Sequence, residues 1–391
     1  MKRKILFLTT QFNHGGVERS LIEVCKALDP SKYDLTLFLR NDKTELVHLL
    51  PSYVKVIVNK DGHYFRYPAA VLYRALALAC APFSREKSGK YQRKLEDFIY
   101  RQKIRNPQKR FFRNERFDVV VSYTVHLCTE MALLIDADRH YVFFHSEEAD
   151  FHQDITSRAF PDYDKIVAVG PGVEILLREH FPQFNDKIIQ LCNYIDAPKI
   201  YALAEEIPPE IEETKKSGAL MFTTSARMVS EKGYELAVGA AKLLRENGVD
   251  FEWYFLGDGF ERPNVERLIR SNGLEDRIHL KGFVKNPYPY MAQCDIYVHP
   301  AYLEAQPLAI MEAIALGKAI VSTDSLGGKA VLENGKKGLL TSQTAEGIAE
   351  GILRFLREPA LKQSFEGRYT LEDNKREKEA YAAQWDALLS E

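Results

Sequence analysis

The chain has 391 residues, 46% of them hydrophobic and 28% charged, with a formal net charge of −2. That length allows two or three buried cores, and the composition excludes a disordered or fibrous chain. The near-neutral charge gives no electrostatic reason to bind nucleic acid, and five scattered cysteines (Cys25, Cys80, Cys128, Cys192, Cys294) without a CxxC pair argue against zinc or a disulfide framework.

In chain order, the opening MKRKILFLTTQF sets basic residues before a short apolar run. Residues 5–8 are too few for a signal-peptide core, no small-residue cleavage site follows, and a buried first strand is expected. No run reaches the roughly 18 apolar residues of a membrane span, so a cytoplasmic location is expected, with or without attachment to the inner membrane face. Apolar runs predict strands at 4–10, 33–39, 54–59, 117–123, 141–145, 165–169 and 188–191, continuous enough to be covered on both faces. Gly15-Gly16 opens a helix over 17–28, whose Val17, Leu21, Val24, Cys25 and Leu28 recur at helical spacing.

Residues 64–116 break this rhythm with two predicted helices, 68–81 and a second region at 85–116. The second holds twelve basic and four acidic residues, interleaved with Phe98, Tyr100, Phe111 and Phe112. Such a segment is either a solvated helix pair or, through 68–116, a peripheral contact with an anionic membrane. Asp136-Ala137-Asp138 is formally a DxD pattern but is read as a solvated turn, with no metal. A polar stretch at 205–218 reads as a linker. A second series follows, with strands at 219–225, 251–256, 278–281, 296–299 and 319–322 and helices at 234–246, 264–271, 307–316 and 347–356. Two such series predict an α/β chain of two Rossmann-like, doubly wound domains facing each other across a cleft. The first spans 1–200 and is joined by a final helix at 372–391; the second spans 201–371.

Ligands of doubly wound sheets sit at the carboxyl ends of strands, which singles out the polar residues there. Glu304 follows one such end, and Glu312 lies on the helix begun by Pro307. A carboxylate at the second position can accept ribose hydroxyls, while the helix start at Gln306, Pro307 and Leu308 faces a diphosphate. Arg227 and Lys232 flank a strand-to-helix loop, where two cations can neutralise a leaving diphosphate. Gly15 and Gly16 let backbone N–H groups approach an anion. His145 ends a strand and can bond a donor sugar or orient an acceptor, or it is a structural histidine; His299, beside Pro300, ranks below it. Gly257 ends a strand in a turn, and Phe283-Val284 follows the next.

These segments resemble family 4 retaining glycosyltransferases, which have the GT-B fold. Glu304 and Glu312 are similar to that family's Glu-x7-Glu signature, Arg227 and Lys232 to its Arg-Leu-x-x-x-Lys loop, and Gly15-Gly16-Val17-Glu18-Arg19 to its Gly-Gly-x-Glu-Arg opening. Two departures stand out: Ala305-Gln306-Pro307 where many members have Gly-Phe-Gly, and Ala226 where a glycine is usual. The resemblance implies transfer of a sugar, with retention, from a nucleotide diphosphate sugar to a glycan or lipid-linked acceptor in cell-surface polysaccharide or glycoconjugate synthesis. It implies uracil as the donor base ahead of guanine, no cofactor beyond the donor, no metal, His145 in the cleft, and Phe283-Val284 beside the nucleobase. Another two-domain sugar-nucleotide enzyme, an epimerase or phosphorylase, and a catalytically silent sugar-nucleotide-binding subunit are the alternatives.

Overall fold

The computed structural model of the protein describes residues 2–13, 15–59, 75, 78, 110–125, 127–145 and 158–391. Most of the basic segment at 68–116, and with it the expected membrane contact, lies outside the described residues.

Among the described residues, seven parallel strands form the first sheet in the order β3-β2-β1-β4-β5-β6-β7. They are β1 (Arg3–Thr9), β2 (Tyr33–Leu39), β3 (Lys55–Val58), β4 (Arg116–Ser122), β5 (Asp136–Phe144), β6 (Lys165–Ala168) and β7 (Ile188–Gln190). Ile5 to Leu8 are wholly buried, as a strand covered on both faces must be. The second sheet orders six strands as β10-β9-β8-β11-β12-β13. These are β8 (Leu220–Ser225), β9 (Phe251–Leu256), β10 (Ile278–Gly282), β11 (Ile296–His299), β12 (Ile320–Thr323) and β13 (Leu339–Thr341). Two parallel α/β domains in this arrangement constitute a GT-B fold. Among the described residues no helix is long and apolar enough to cross a membrane.

Three segments differ from the sequence expectation. The stretch read as a linker contains a helix, Pro209–Ser217, because Ile211 buries itself completely and Gly218 (φ +79°) stops the helix in the left-handed region. Asp136-Ala137-Asp138 is the start of β5 and not a turn; Arg116 bonds Asp138 there, at the amino end of the strand and away from the ligand-binding end. β13 was not expected, since its three residues are only half-buried and carry no period.

The last helix, Leu371–Ser390, starts in a capping box between Thr370 and Asp373 and returns to the first domain. Trp385 stacks on Phe143 with ring centroids 5.1 Å apart, and Tyr141 OH donates to the Leu388 carbonyl at 3.0 Å. The chain crosses between domains within 191–196, a few residues before 200. Helix Ala197–Ala204 already packs on the second domain, where Tyr201 OH donates to the Ala315 carbonyl at 2.9 Å. Buried Asn374 ties both crossings together, accepting from Tyr194 OH at 2.9 Å and donating to the Ile195 carbonyl at 2.8 Å.

Candidate active site

The site begins where β8 ends. Arg227 is exposed in the loop after Ser225, and among the described residues no hydrogen bond or ion pair engages its guanidinium. The loop then closes in a short turn, Ser230–Lys232, and Gly233 takes φ +60° before helix Tyr234–Glu246. A Cβ on Gly233 would lie 2.1 Å from the Pro300 carbonyl oxygen, so only glycine lets this loop press against the end of β11. That approach brings Lys232 to Glu304, with Nζ 2.8 Å from Oε1.

Glu304 is held from a second side. Its Oε1 lies 3.0 Å from His299 Nε2, and His299 is itself buried at the end of β11. Burial alone would raise the Glu304 pKa, but the His299 hydrogen bond and the Lys232 charge outweigh it and bring it down to about 2. The carboxylate is therefore ionised at neutral pH, and His299 must present its proton on Nε2. The loop behind Glu304 is fixed by Gly327, whose N–H donates to the Glu304 carbonyl at 3.0 Å.

Glu312 sits on helix Leu308–Ala315 and is only 6% exposed. Tyr288 OH donates to its Oε1 at 2.9 Å, and the Arg19 guanidinium, from the first domain, lies 3.5 Å from the same oxygen. Burial raises its pKa, offset in part by Arg19 and Tyr288.

The two domains meet at this point. A Cβ on Gly16 would stand 3.6 Å from Leu308 Cδ1, so the starts of helices Gly16–Ala27 and Leu308–Ala315 face one another. Both helix starts bring the positive ends of their dipoles to this junction, and such ends favour an anion. Gly15 has an ordinary extended backbone (φ −127°). A Cβ there would lie 2.2 Å from Glu18 Oε2, the movable end of a flexible side chain, so a larger residue would displace the Glu18 carboxylate and not the backbone. The Glu18 carboxylate folds back over the helix start; burial raises its pKa, countered by its own backbone N–H, by the Arg227 charge and by the Asn13 N–H.

The remaining expected residues fall around this centre. His145 follows β5 with its ring 4.6 Å from that of Tyr123; burial pushes its pKa down to about 3, so it is neutral, and its buried Nε2 has no partner among the described residues. Gly257 (φ +148°) closes the ends of β8, β9 and β10, its N–H donating to the Gly282 carbonyl at 2.8 Å. Phe283 is 49% exposed beyond β10, whereas Val284 packs partly into the core beneath. Pro307 caps helix Leu308–Ala315, and Gln306 Oε1 accepts from the Asn193 N–H at 2.6 Å in the crossing segment. Gln306 thus spends its side-chain carbonyl on the domain junction, a use no family pattern suggested. His299, which ranks below His145 in the sequence, is the histidine that bonds Glu304, and Tyr288 and Arg19, the partners of Glu312, were not expected in that role. His299 carried one usable signal, a histidine at a strand end five residues before Glu304; Tyr288 carried none.

The fold is that of a two-domain GT-B protein, with cationic side chains and two helix starts gathered where the domains meet. Residues 207–373, in the second domain, match the family model described as Glycosyl transferases group 1. Over 141 residues the chain is 31% identical to alpha-D-kanosaminyltransferase of Streptomyces kanamyceticus, covering 35% of this chain and 36% of that protein. It is 29% identical to the amylovoran biosynthesis glycosyltransferase AmsK of Erwinia amylovora, covering 40% and 42% respectively. The matches therefore span well under half the length of these curated relatives. Among solved structures, HepE of Anabaena in complex with UDP and glucose is similar over 99% of both chains, with a TM-score of 0.71 at 16% identity, a likeness of fold.

Proposed function

We infer that the protein is a glycosyltransferase that moves a hexose, with retention, from a nucleotide diphosphate sugar to a glycan or lipid-linked acceptor in polysaccharide synthesis. The observation that carries this reading is the gathering at one cleft of uncommitted Arg227, the Lys232–Glu304 pair and two facing helix starts. On this reading Arg227, Lys232 and the helix starts stabilise the diphosphate as it leaves. Glu304 orients the sugar and Glu312 accepts ribose hydroxyls once Tyr288 yields. Neutral His145 offers Nε2 to a sugar hydroxyl. The acceptor attacks the face that the diphosphate leaves, and a departing phosphate oxygen takes the acceptor proton. UDP is the first choice of nucleotide, in keeping with HepE having been captured with UDP. No metal or further cofactor is called for, and contact with anionic membranes is assigned to residues 68–116.

The test is calorimetric binding of UDP, GDP and ADP to the wild type and to Arg227→Ala. One diphosphate, UDP, should bind, and the variant should lose about 1.5–3 kcal/mol, the worth of a hydrogen bond to a charged group. Binding of none of the three would overturn the reading. With the donor known, product anomer analysis checks retention, where an inverted product refutes it. Activity in chelator checks metal independence, and binding of anionic vesicles checks the membrane contact.

A further inference from the structure

Buried polar atoms without partners are costly, and at the ligand-binding end of a sheet they mark places that a ligand can complete. Among the described residues these include Asn13 Oδ1, Arg40 Nε and His145 Nε2, each on a residue just beyond the carboxyl end of a first-domain strand (β1, β2 and β5). Two of them share a corner. The Arg40 N–H donates to the Thr9 carbonyl at 3.0 Å, that of Asn41 to Thr10 at 2.9 Å, and that of Phe12 to Lys43 at 2.9 Å, which lays the segment carrying Asn13 alongside the one carrying Arg40. The Arg40 charge also reaches the buried Cys128 thiol, beside which lie the hydroxyls of Thr10 and Thr124.

Arg40 is half-buried, and no carboxylate pairs with it among the described residues. Arg116, Arg139, Arg178, Arg262 and Arg277 each have one. A guanidinium cannot shed its proton to escape burial, so an enclosed N–H without an acceptor is destabilising until an oxyanion arrives. Its planar fork matches phosphate or carboxylate oxygens, and the Asn13 carbonyl wants a donor such as a sugar hydroxyl. The cations assigned to the donor, Arg227 and Lys232, come from the other domain. Arg40 instead stands at the carboxyl end of β2, the end of the first sheet at which ligands of doubly wound folds bind.

We propose that Arg40 and Asn13 form a subsite for an oxyanion carried by the acceptor, a phosphate or a sugar carboxylate next to a hydroxyl. This rests on the transferase reading, since it assigns the acceptor side of that cleft. Such an acceptor is a phosphorylated or acidic saccharide, and Arg40 selects it over a neutral one.

The test is ligand-observed NMR on the full chain saturated with UDP, so that the donor's anion site is filled. Phenyl phosphate and glucuronate are the anionic probes, and galactose is the neutral control. Wild type is compared with Arg40→Gln and Arg40→Lys, with UDP affinity as the check on folding. At least one anionic probe should bind wild type, weaken tenfold or more in Arg40→Gln and recover in part in Arg40→Lys, with UDP affinity unchanged. A phosphate-only response identifies a phosphorylated acceptor, and a glucuronate-only response an acidic glycan. Equal binding to Arg40→Gln, or no binding of either probe to wild type at millimolar concentration, overturns the proposal. Failure of UDP to bind wild type removes the transferase reading, and the acceptor assignment falls with it.

Discussion

His299 Nε2 lies 3.0 Å from Glu304 Oε1, and Lys232 Nζ lies 2.8 Å from that same oxygen. One carboxylate oxygen thus takes an imidazole and an ammonium donor, which fixes both its ionisation and its direction. His299→Leu should remove the imidazole donor and lower kcat of the proposed reaction by ten- to a hundredfold, on the scale of about 1.5–3 kcal/mol for a hydrogen bond to a charged group. Because that bond helps hold the Glu304 pKa near 2, the acidic limb of the pH–rate profile should move to higher pH. His299→Gln can still present an N–H at a similar reach and should recover much of the rate. Equal rates and pH profiles in wild type and the leucine variant would show that His299 is only a packing residue.

Glu312 has the opposite electrostatics. Burial raises its pKa above 4.5, so ionising this carboxyl in the folded protein carries a desolvation cost. A carboxyl raised on folding binds protons more readily in the native state, so its penalty is relieved as pH falls through the folded value towards 4.5. Glu312→Gln should therefore raise the melting temperature of the ligand-free protein at pH 7, and the gain should shrink on acidification through that window. The same change should weaken nucleotide diphosphate binding, because an amide is the poorer acceptor of ribose hydroxyls. Glu304 runs the other way, its contribution present above 4.5 and lost as pH falls towards 2. Differential scanning calorimetry of the variant between pH 4 and pH 7 measures the sign. A lower melting temperature at pH 7 would mean that Arg19 and Tyr288 more than offset the burial.

Both sheets were legible because parallel strands covered on two faces are continuous apolar runs, as Ile5–Leu8 and Ile296–His299 are. Arg227, Lys232 and Glu304 stood out because a strand-to-helix loop puts them at a carboxyl end, and Glu312 because it lies on the helix that follows such a loop, which are local patterns. The partners of those residues were not legible. Tyr288 reaches Glu312 from a different helix, Arg19 reaches it from the other domain, and Asn193 meets Gln306 across 113 positions. Contacts of that kind depend on how two folded domains meet, and no periodicity encodes them. The helix Pro209–Ser217 was obscured because its one buried apolar residue, Ile211, is too sparse a stripe to distinguish from a polar linker.

Gly233 offers a test of how the cleft is assembled. It shares the left-handed region with Gly218 (φ +60° and +79°), so an alanine at either position carries the same backbone strain of about 1–2 kcal/mol. Nothing lies within 4 Å of a Cβ on Gly218, whereas one on Gly233 would meet the Pro300 carbonyl oxygen at 2.1 Å. Gly218→Ala should therefore lower the melting temperature by roughly 2–4 °C per kcal/mol and leave UDP binding alone. Gly233→Ala must push the Ser230–Lys232 turn away from β11, which separates Lys232 from Glu304 and frees Glu304 to titrate at higher pH. It should lose more stability than Gly218→Ala and should also weaken UDP binding. Calorimetric titration and melting of the two variants side by side measure both effects. Equal losses would mean that the loop relaxes without moving Lys232, and that the clamp on Glu304 does not depend on this close approach.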